Sequence, residues 1–327
     1  MKLKLTYCLA LLLAFIAGKP VHAQQLPLFS QYLFNGFLIN PAYAGLNGYS
    51  SVNLTSRLQW VGLDNAPTTN IVSFQTRLLR QSFVRRSAAA RRKILKQNSS
   101  GRVGVGGYIY NDKVGLINRT GAQGTYAYHI KMDKGTNLSL AASASIYQFS
   151  INRSKIVTEF KDDDPLLNTQ ALNTWIPDFS VGVVYSSPTY YGGISASQLL
   201  QAYLKLGGKI DNTYRLYRQY NITGGYRFEI DRNTAIEPSI LIKMTNQLVA
   251  QADISTRVYF SDYWGGLSYR TGGAAILMFG VQVNKMLFGY AFDYNFNSLQ
   301  KQTYGTHEFM VALKFGDSAG RLRFLNR

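Results

Sequence analysis

Apolar and polar residues alternate with a period of two through most of the chain, in short segments that turn residues separate. Between residues 248 and 260, for example, Ile254 and Val258 alternate with Asp253 and Arg257. Successive side chains of a β-strand point to opposite faces, so each segment predicts a strand with one apolar face and one polar face. The chain is therefore predicted to be an all-β protein.

The alternating segments predict fourteen strands, most of them ten residues long or more. Strands of soluble sandwiches are about five or six residues long, whereas about 9–11 residues are needed to cross a bilayer. We therefore predict a transmembrane antiparallel β-barrel whose apolar face contacts lipid, with twelve and sixteen strands as alternatives. The predicted strands cover residues 49–62, 69–80, 101–112, 118–131, 137–149, 176–186, 189–196, 218–230, 234–244, 248–260, 263–270, 274–285, 286–297 and 305–315.

Charged residues lie on the polar faces of consecutive strands, where a soluble core would not accept them. In a barrel these side chains face the lumen, and residues of opposite charge on neighbouring strands can pair there. The predicted lumen charges are Arg227, Glu229, Glu237, Lys243, Asp253 and Arg257.

Every second predicted connection is short, as expected for the periplasmic turns of an outer-membrane barrel. The long connections near 150–175 and 197–217 then face outward, where we expect them to contact partners. One periplasmic connection is an exception, because residues 81–100 form a long basic segment around an Ala-rich centre. It is interpreted as a helix that is solvated or lies on lipid headgroups, or as a docking element for a periplasmic partner. Its basic residues are Arg85, Arg86, Arg91, Arg92, Lys93 and Lys96.

The first residues have the features of a secretory signal peptide, namely a basic start, a short apolar run and a V-x-A cleavage pattern before Gln24. The apolar run is too short for a helical anchor. The predicted organisation is a signal peptide (1–23), an N-terminal segment (24–48), the barrel (49–316) and a basic periplasmic tail (317–327).

Composition narrows the class of partner. The chain of 327 residues has 35 basic and 17 acidic residues, a formal net charge of +18. Nucleic acid is the usual partner of such a charge, but export argues against it. A membrane surface, lipopolysaccharide or an acidic protein patch fits better. The single cysteine, Cys8, lies in the predicted signal peptide.

The mature N-terminus does not alternate. It reads Leu28-Phe29-Ser30-Gln31-Tyr32-Leu33-Phe34-Asn35, followed by Ile39-Asn40-Pro41-Ala42-Tyr43-Ala44-Gly45. Because these residues lack the pattern of a strand, we expect residues 28–45 to fold into or under the lumen as a plug-like or docking segment.

These residues resemble the opening of the PorP/SprF family of type IX secretion outer-membrane proteins, in which a "FSQY-F" run precedes "NPAYAG". The resemblance continues through Gln59-Trp60-Val61-Gly62, Asn111-Asp112-Lys113-Val114-Gly115 and Thr306-His307-Glu308, over about residues 26–316. The chain departs from the family at Gly36, where proline is frequent, and in the basic insertion at 81–100. The motif residues that become candidates for partner binding are Phe29, Ser30, Gln31, Tyr32, Asn40, Pro41, Ala42, Tyr43, Gly45 and Trp60.

The resemblance implies an outer-membrane barrel of Bacteroidota that works with the type IX secretion and gliding machinery. Its implied partners are other secretion components, including the periplasmic lipoprotein ring, or a large secreted surface protein whose export or attachment it helps. It implies no cofactor and no metal. The alternative is an outer-membrane channel for small or hydrophobic solutes.

The residues give little support for catalysis. His129 and His307 each lie inside a predicted strand, and no serine can be placed beside either at the lipid boundary. A lipid-modifying barrel enzyme is therefore a weaker third hypothesis. The acidic triplet 162–164 matches no calcium-loop spacing and is interpreted as a solvated turn.

Overall fold

The structure is a computed structural model, which describes residues 29–32, 34–78, 101–132, 135–151, 173–205, 213–246 and 250–315. Within these residues it contains seventeen β-strands and three short 3₁₀ helices. The strands are β1 (Ser50–Leu58), β2 (Thr68–Leu78), β3 (Val103–Val114), β4 (Ile117–Lys131), β5 (Asn137–Ile151), β6 (Asn173–Ser186), β7 (Tyr190–Ser197), β8 (Tyr203–Lys205), β9 (Thr213–Arg215), β10 (Gln219–Tyr226), β11 (Phe228–Glu229), β12 (Thr234–Thr245), β13 (Ala250–Phe260), β14 (Tyr263–Arg270), β15 (Ala274–Val283), β16 (Met286–Asn295) and β17 (Thr306–Phe315). The 3₁₀ helices are Gly36–Leu38, Pro41–Tyr43 and Ser298–Gln302.

The strands close into an antiparallel barrel. β1 pairs with both β2 and β17, and β10 pairs with both β7 and β12, so the sheet has no open edge. β11 continues β10 past Arg227 and also pairs with β12, so β10 and β11 together form one strand of the wall. The wall therefore has fourteen strands. The predicted fold class and strand count are confirmed, and the predicted bounds agree to within a few residues. β8 and β9 form a separate hairpin.

The two faces of the wall differ as the alternation predicts. In β13, Asp253, Ser255 and Arg257 point inward and are buried, whereas Ile254 and Val258 point outward and are exposed. Apolar side chains cover most of the outer face of the other strands, as a barrel in lipid requires. Among the described residues, no helix is long and apolar enough to cross a membrane.

The barrel has two distinguishable ends. At the terminal end, where β1 begins and β17 ends, short turns join the strands, among them 187–189, 261–262 and 284–285. Ser261 and Asn284 adopt the left-handed backbone conformation that two-residue hairpins need. The opposite end, here called the loop end, carries most of the longer connections. The predicted signal peptide, the basic segment at 81–100 and the tail lie largely outside the described residues.

One of the long connections folds toward the barrel mouth. Leu216 is buried against the inward-facing side chains Tyr147, Phe149 and Ile176. The backbone N–H of Leu200 donates to the carboxylate of Asp178 at 3.1 Å. The connection between β7 and β10 therefore narrows the loop end of the barrel.

Candidate functional site inside the barrel

The described part of the N-terminal segment, residues 29–32 and 34–48, lies inside the barrel and touches opposite sides of the wall. Ser30 bonds to side chains of β16 and β17, whereas Asn40 bonds to the backbone of β6 and β7. One 3₁₀ helix, Gly36–Leu38, lies between these two residues, and a second, Pro41–Tyr43, follows Asn40. Asn40 caps the second helix by accepting from the N–H of Ala42 at 2.9 Å, and Pro41 fixes its first residue. These turns explain why the segment does not alternate.

Five charged side chains from β1, β13, β14, β16 and β17 form one buried network, here called the charged cluster. One guanidinium, that of Arg57, bridges Asp293 at 2.6 Å and Glu308 at 2.9 Å. The second, that of Arg270, binds both oxygens of Asp253 at 2.9 Å and reaches Asp293 at 3.2 Å. All five side chains are at most 8% exposed. The fork geometry of arginine suits such paired recognition of carboxylates.

The "FSQY" part of the segment binds directly to this charged cluster. The backbone N–H groups of Ser30 and Gln31 donate to the two carboxylate oxygens of Glu308 at 2.7 and 2.8 Å. The hydroxyl of Ser30 donates to Asp293 at 2.8 Å and accepts from Arg57 at 2.8 Å. The segment thus adds hydrogen bonds to three cluster members, namely Glu308, Asp293 and Arg57.

The charge count shows what the segment contributes to the cluster. The five members are two guanidinium groups and three carboxylates, so the ion pairs among them leave one carboxylate in excess. Buried charges are costly unless pairing and hydrogen bonds compensate them. The two backbone N–H groups that Glu308 accepts supply part of that compensation.

An aromatic contact fixes the next part of the segment. The ring of Phe34 lies 4.3 Å from that of Trp264 and 6.5 Å from that of Tyr259, measured between centroids. The guanidinium of Arg257 lies 5.1 Å above the same ring, and it pairs with Glu237 at 2.6 Å. Cation–π contact and aromatic packing therefore act together at Phe34.

The "NPAYAG" part binds the other side of the barrel through uncharged groups. The side-chain amide of Asn40 donates to the carbonyls of Val183 and Ile194, both at 3.1 Å. The carbonyl of Ala44 bonds to Nε2 of His129 at 2.9 Å. These contacts use backbone carbonyls and amides, in contrast to the charged cluster.

Glycines in the wall make room for this part of the segment. A Cβ on Gly182 would overlap the side-chain oxygen of Asn40, and a Cβ on Gly104 would overlap the carbonyl of Ala44. Glycine inside a strand often marks close approach by another backbone. Both glycines are therefore explained by the position of the segment.

The sequence matches the family model described as type IX secretion system membrane protein PorP/SprF over residues 21–313. This match covers most of the chain. The chain belongs to the PorP/SprF family. The family and the closed barrel with an apolar outer face place it in the outer membrane as a component of type IX secretion. The resemblance seen in the sequence is thereby confirmed.

Solved outer-membrane barrels have a similar fold at low identity. The Acinetobacter baumannii outer membrane protein Omp33 is 11% identical, with a TM-score of 0.42 over 82% of this chain and 97% of its own. The Ralstonia pickettii toluene transporter TbuX is 11% identical, with a TM-score of 0.45 over 85% and 92%. The CymD monoaromatic hydrocarbon channel is 10% identical, with a TM-score of 0.45 over 86% and 91%. No curated protein matches significantly.

In this PorP/SprF barrel, five of the six predicted lumen charges point into the interior. Glu237, Asp253 and Arg257 are buried in the ion pairs described above, and Arg227 is buried and donates to the carbonyl of Pro188 at 3.2 Å. Lys243 lines a remaining cavity. Glu229 is the exception: it is exposed at the end of β11, because the strand reaches the rim there and water solvates the carboxylate.

Sequence reasoning missed four members of the charged cluster. Arg57, Arg270, Asp293 and Glu308 were not among the predicted lumen charges, although each occupies an inward position of a predicted strand. Counting every charge on a polar face would have found them. The sequence could not indicate that these four side chains contact one another inside the barrel.

The motif residues divide between two places. Nine of the ten candidates belong to the N-terminal segment. Trp60 instead lies in the loop 59–67 at the loop end, where its backbone N–H donates to the hydroxyl of Thr306 at 3.2 Å. The structure therefore does not bring Trp60 together with the segment. The six basic residues between 85 and 96 lie outside the described residues.

A small cavity remains between the segment and the wall toward the loop end. It has a volume of about 120 Å³, and its lining includes Phe37, Tyr108, Tyr110 and Lys243. Binding pockets for small molecules measure about 300–1,000 Å³. This cavity is therefore smaller than a typical small-molecule pocket.

Proposed function

We propose that this PorP/SprF protein is a non-enzymatic component of type IX secretion whose barrel is closed by its own N-terminal segment. The observation that carries the proposal is the binding of the family motif by the charged cluster. A segment held by two carboxylates and one arginine on one side of the lumen, and by backbone carbonyls on the other, blocks the path that a solute would take.

A barrel whose lumen is blocked can act only through surfaces that contact other proteins. We infer that the outward connections near 150–175 and 197–217 contact an exported surface protein and help its export or attachment. The basic periplasmic segment around 85–96 then orients the barrel on the lipoprotein ring or on the inner leaflet. This arrangement serves secretion and gliding without transport through this barrel.

The surroundings of the two histidines support a non-enzymatic function. His129 contacts the hydroxyl of Ser139 at 2.8 Å, but it is fully buried and its other ring nitrogen bonds to Ala44. His307 faces outward and bonds to the hydroxyl of Tyr290 at 2.7 Å. His129 is thus out of reach of a substrate, and His307 has no serine among its hydrogen-bonding partners in the described residues.

Single-channel recording in planar bilayers tests the closure. We expect the intact barrel to be silent and a variant lacking residues 24–48 to conduct. Recovery of secretion partners from detergent-solubilised membranes, measured on the same two proteins, tests the secretion function separately.

The alternative is a channel for small or hydrophobic solutes. It predicts a stable open pore in the intact protein that deletion of residues 24–48 leaves unchanged. That result would overturn the closure, and a failure to recover any secretion component would overturn the proposed function in secretion.

A further inference from the structure

The N-terminal segment has a net direction through the barrel. At its start, Ser30 contacts Arg57 on β1 and Glu308 on β17, the second and third residues from the loop ends of these strands. At its other end, the carbonyl of Ala44 bonds to His129, the third residue from the terminal end of β4. The segment therefore starts near the loop end and finishes at the terminal end, where β1 begins.

The lumen on the terminal side of Ser30 is occupied by the segment itself. Phe34 packs on Trp264, the second residue of β14 at the terminal end. Four later residues of the segment pack against β4 and β6 and are at most 3% exposed, namely Phe37, Ala42, Ala44 and Leu46. Protein interiors are close-packed, so the space that these side chains fill is closed to a second stretch of chain. The chain that precedes Phe29 therefore cannot return to the terminal end through the lumen.

Open space remains on the loop side of Ser30. The cavity of about 120 Å³ is lined there by Phe29, by Tyr110 on β3 and by Gln219, the first residue of β10 at the loop end. Phe29 is the first described residue of the segment, so the preceding chain starts from this cavity. Residues 24–28 read Gln-Gln-Leu-Pro-Leu, and their three apolar side chains suit the aromatic part of the lining.

We propose that the chain enters the barrel from the loop end, so that residues 24–28 occupy the outer mouth and the N-terminus of the mature protein faces the cell surface. The terminal end, with its short turns, then faces the periplasm. The two ends of the N-terminal segment thus lie on opposite sides of the outer membrane. A protein that docks on the connection between β7 and β10 would meet the start of this chain at the same mouth. The inference rests on the proposed closure of the lumen but concerns the direction of the segment, which conductance does not report.

Labelling of thiols from outside intact cells tests the direction. In a Cys8→Ser background, a Gly-Ser-Cys extension inserted before Gln24 places a thiol at the N-terminus of the mature chain. Gly272→Cys lies in an exposed turn at the loop end, where a Cβ meets no atom within 4 Å, and Asn233→Cys lies in an exposed turn at the terminal end. We expect a membrane-impermeant maleimide to label the extension and Gly272→Cys to similar extents. Asn233→Cys should be labelled severalfold less until the outer membrane is disrupted.

Three results of this experiment would overturn the inference. One is labelling of the extension only after disruption, as for Asn233→Cys, and another is its absence in both states. The third is equal labelling of Gly272→Cys and Asn233→Cys in intact cells. The heat-dependent gel mobility of each variant shows whether its barrel has folded. A barrel that is silent in bilayers but fails this labelling would refute the direction and leave the closure intact.

Cross-linking inside the lumen tests the position of the chain before Phe29. Leu28→Cys adjoins Phe29, and Gln219→Cys lines the cavity, so a flexible bismaleimide should link the two thiols in the folded barrel. The matched control is Leu28→Cys with Ser186→Cys, because Ser186 is buried at the terminal end of β6. Mass spectrometry of the digested protein measures both links. Equal linkage in the two pairs, or none between positions 28 and 219, would contradict the proposed entry.

Discussion

The two ends of the N-terminal segment are held inside the barrel by different interactions. At the "FSQY" end, Ser30 and Gln31 bind to buried carboxylates that two arginines also bind. At the "NPAYAG" end, Asn40 binds backbone carbonyls, and glycines in the wall leave the space that its side chain occupies. Binding of the "FSQY" end depends on buried charges, and binding of the "NPAYAG" end depends on a close steric fit.

The comparison shows how a barrel can bind a peptide without an open pocket. A charged contact is strong in a buried, low-dielectric site, but it fails as a unit when one member is removed. A close steric fit does not tolerate added volume. The substitutions below separate these two properties.

The largest effect is expected from Arg57→Ala. It leaves Asp293 and Glu308 without their shared guanidinium, so the free energy of unfolding should fall by about 3–5 kcal/mol. The "FSQY" end should then become accessible to protease, as read by mass spectrometry of the fragments. Arg57→Lys should give an intermediate loss, because an ammonium cannot reproduce the fork. Protection equal to that of the native protein would contradict the role of the cluster.

Gly182→Ala should displace the opposite end. The added Cβ overlaps Asn40, and such overpacking costs about 1–3 kcal/mol. Hydrogen exchange should increase in residues 39–45 and stay low at Ser30. Gly192→Ala is the matched control, because its Cβ meets no atom closer than 3.9 Å. Equal exchange in the two variants would refute the steric account.

Asn40→Ala removes the amide that bonds to Val183 and Ile194, and also the cap of the following 3₁₀ helix. We expect a loss of about 1–3 kcal/mol in chemical unfolding. Asn40→Ser keeps an uncharged oxygen that can cap the helix but removes the amide donors, so its comparison with Asn40→Ala separates the two contributions. Identical stability of Asn40→Ala and the native protein would show that the amide contacts contribute little.

The smallest effect is expected from Ser30→Ala, at about 1 kcal/mol. The variant loses the hydroxyl contacts with Asp293 and Arg57, but the backbone N–H groups still donate to Glu308. Urea titration of the folded barrel measures the difference. A loss as large as that of Arg57→Ala would mean that the hydroxyl, and not the backbone, holds this end.

Most of the wall could be predicted because each strand carries its own information. The alternation of Ile254 and Val258 with Asp253 and Arg257 determines which face meets lipid, whatever the neighbouring strands are. Glu229 shows the limit of this reasoning, since the pattern gives a face but not the height at which a strand leaves the barrel.

The sequence by itself determined the strands, their two faces and the family. Only the closed tertiary structure decided which interior groups meet, because closure brings β1 beside β17 and places Arg57 against Glu308, 251 residues away in the chain. Local periodicity contains no information on such distant pairs. The contact between Gly182 and Asn40 is likewise decided by the tertiary structure. Position 182 requires glycine only because Asn40 occupies the space of a Cβ when the segment lies inside the barrel.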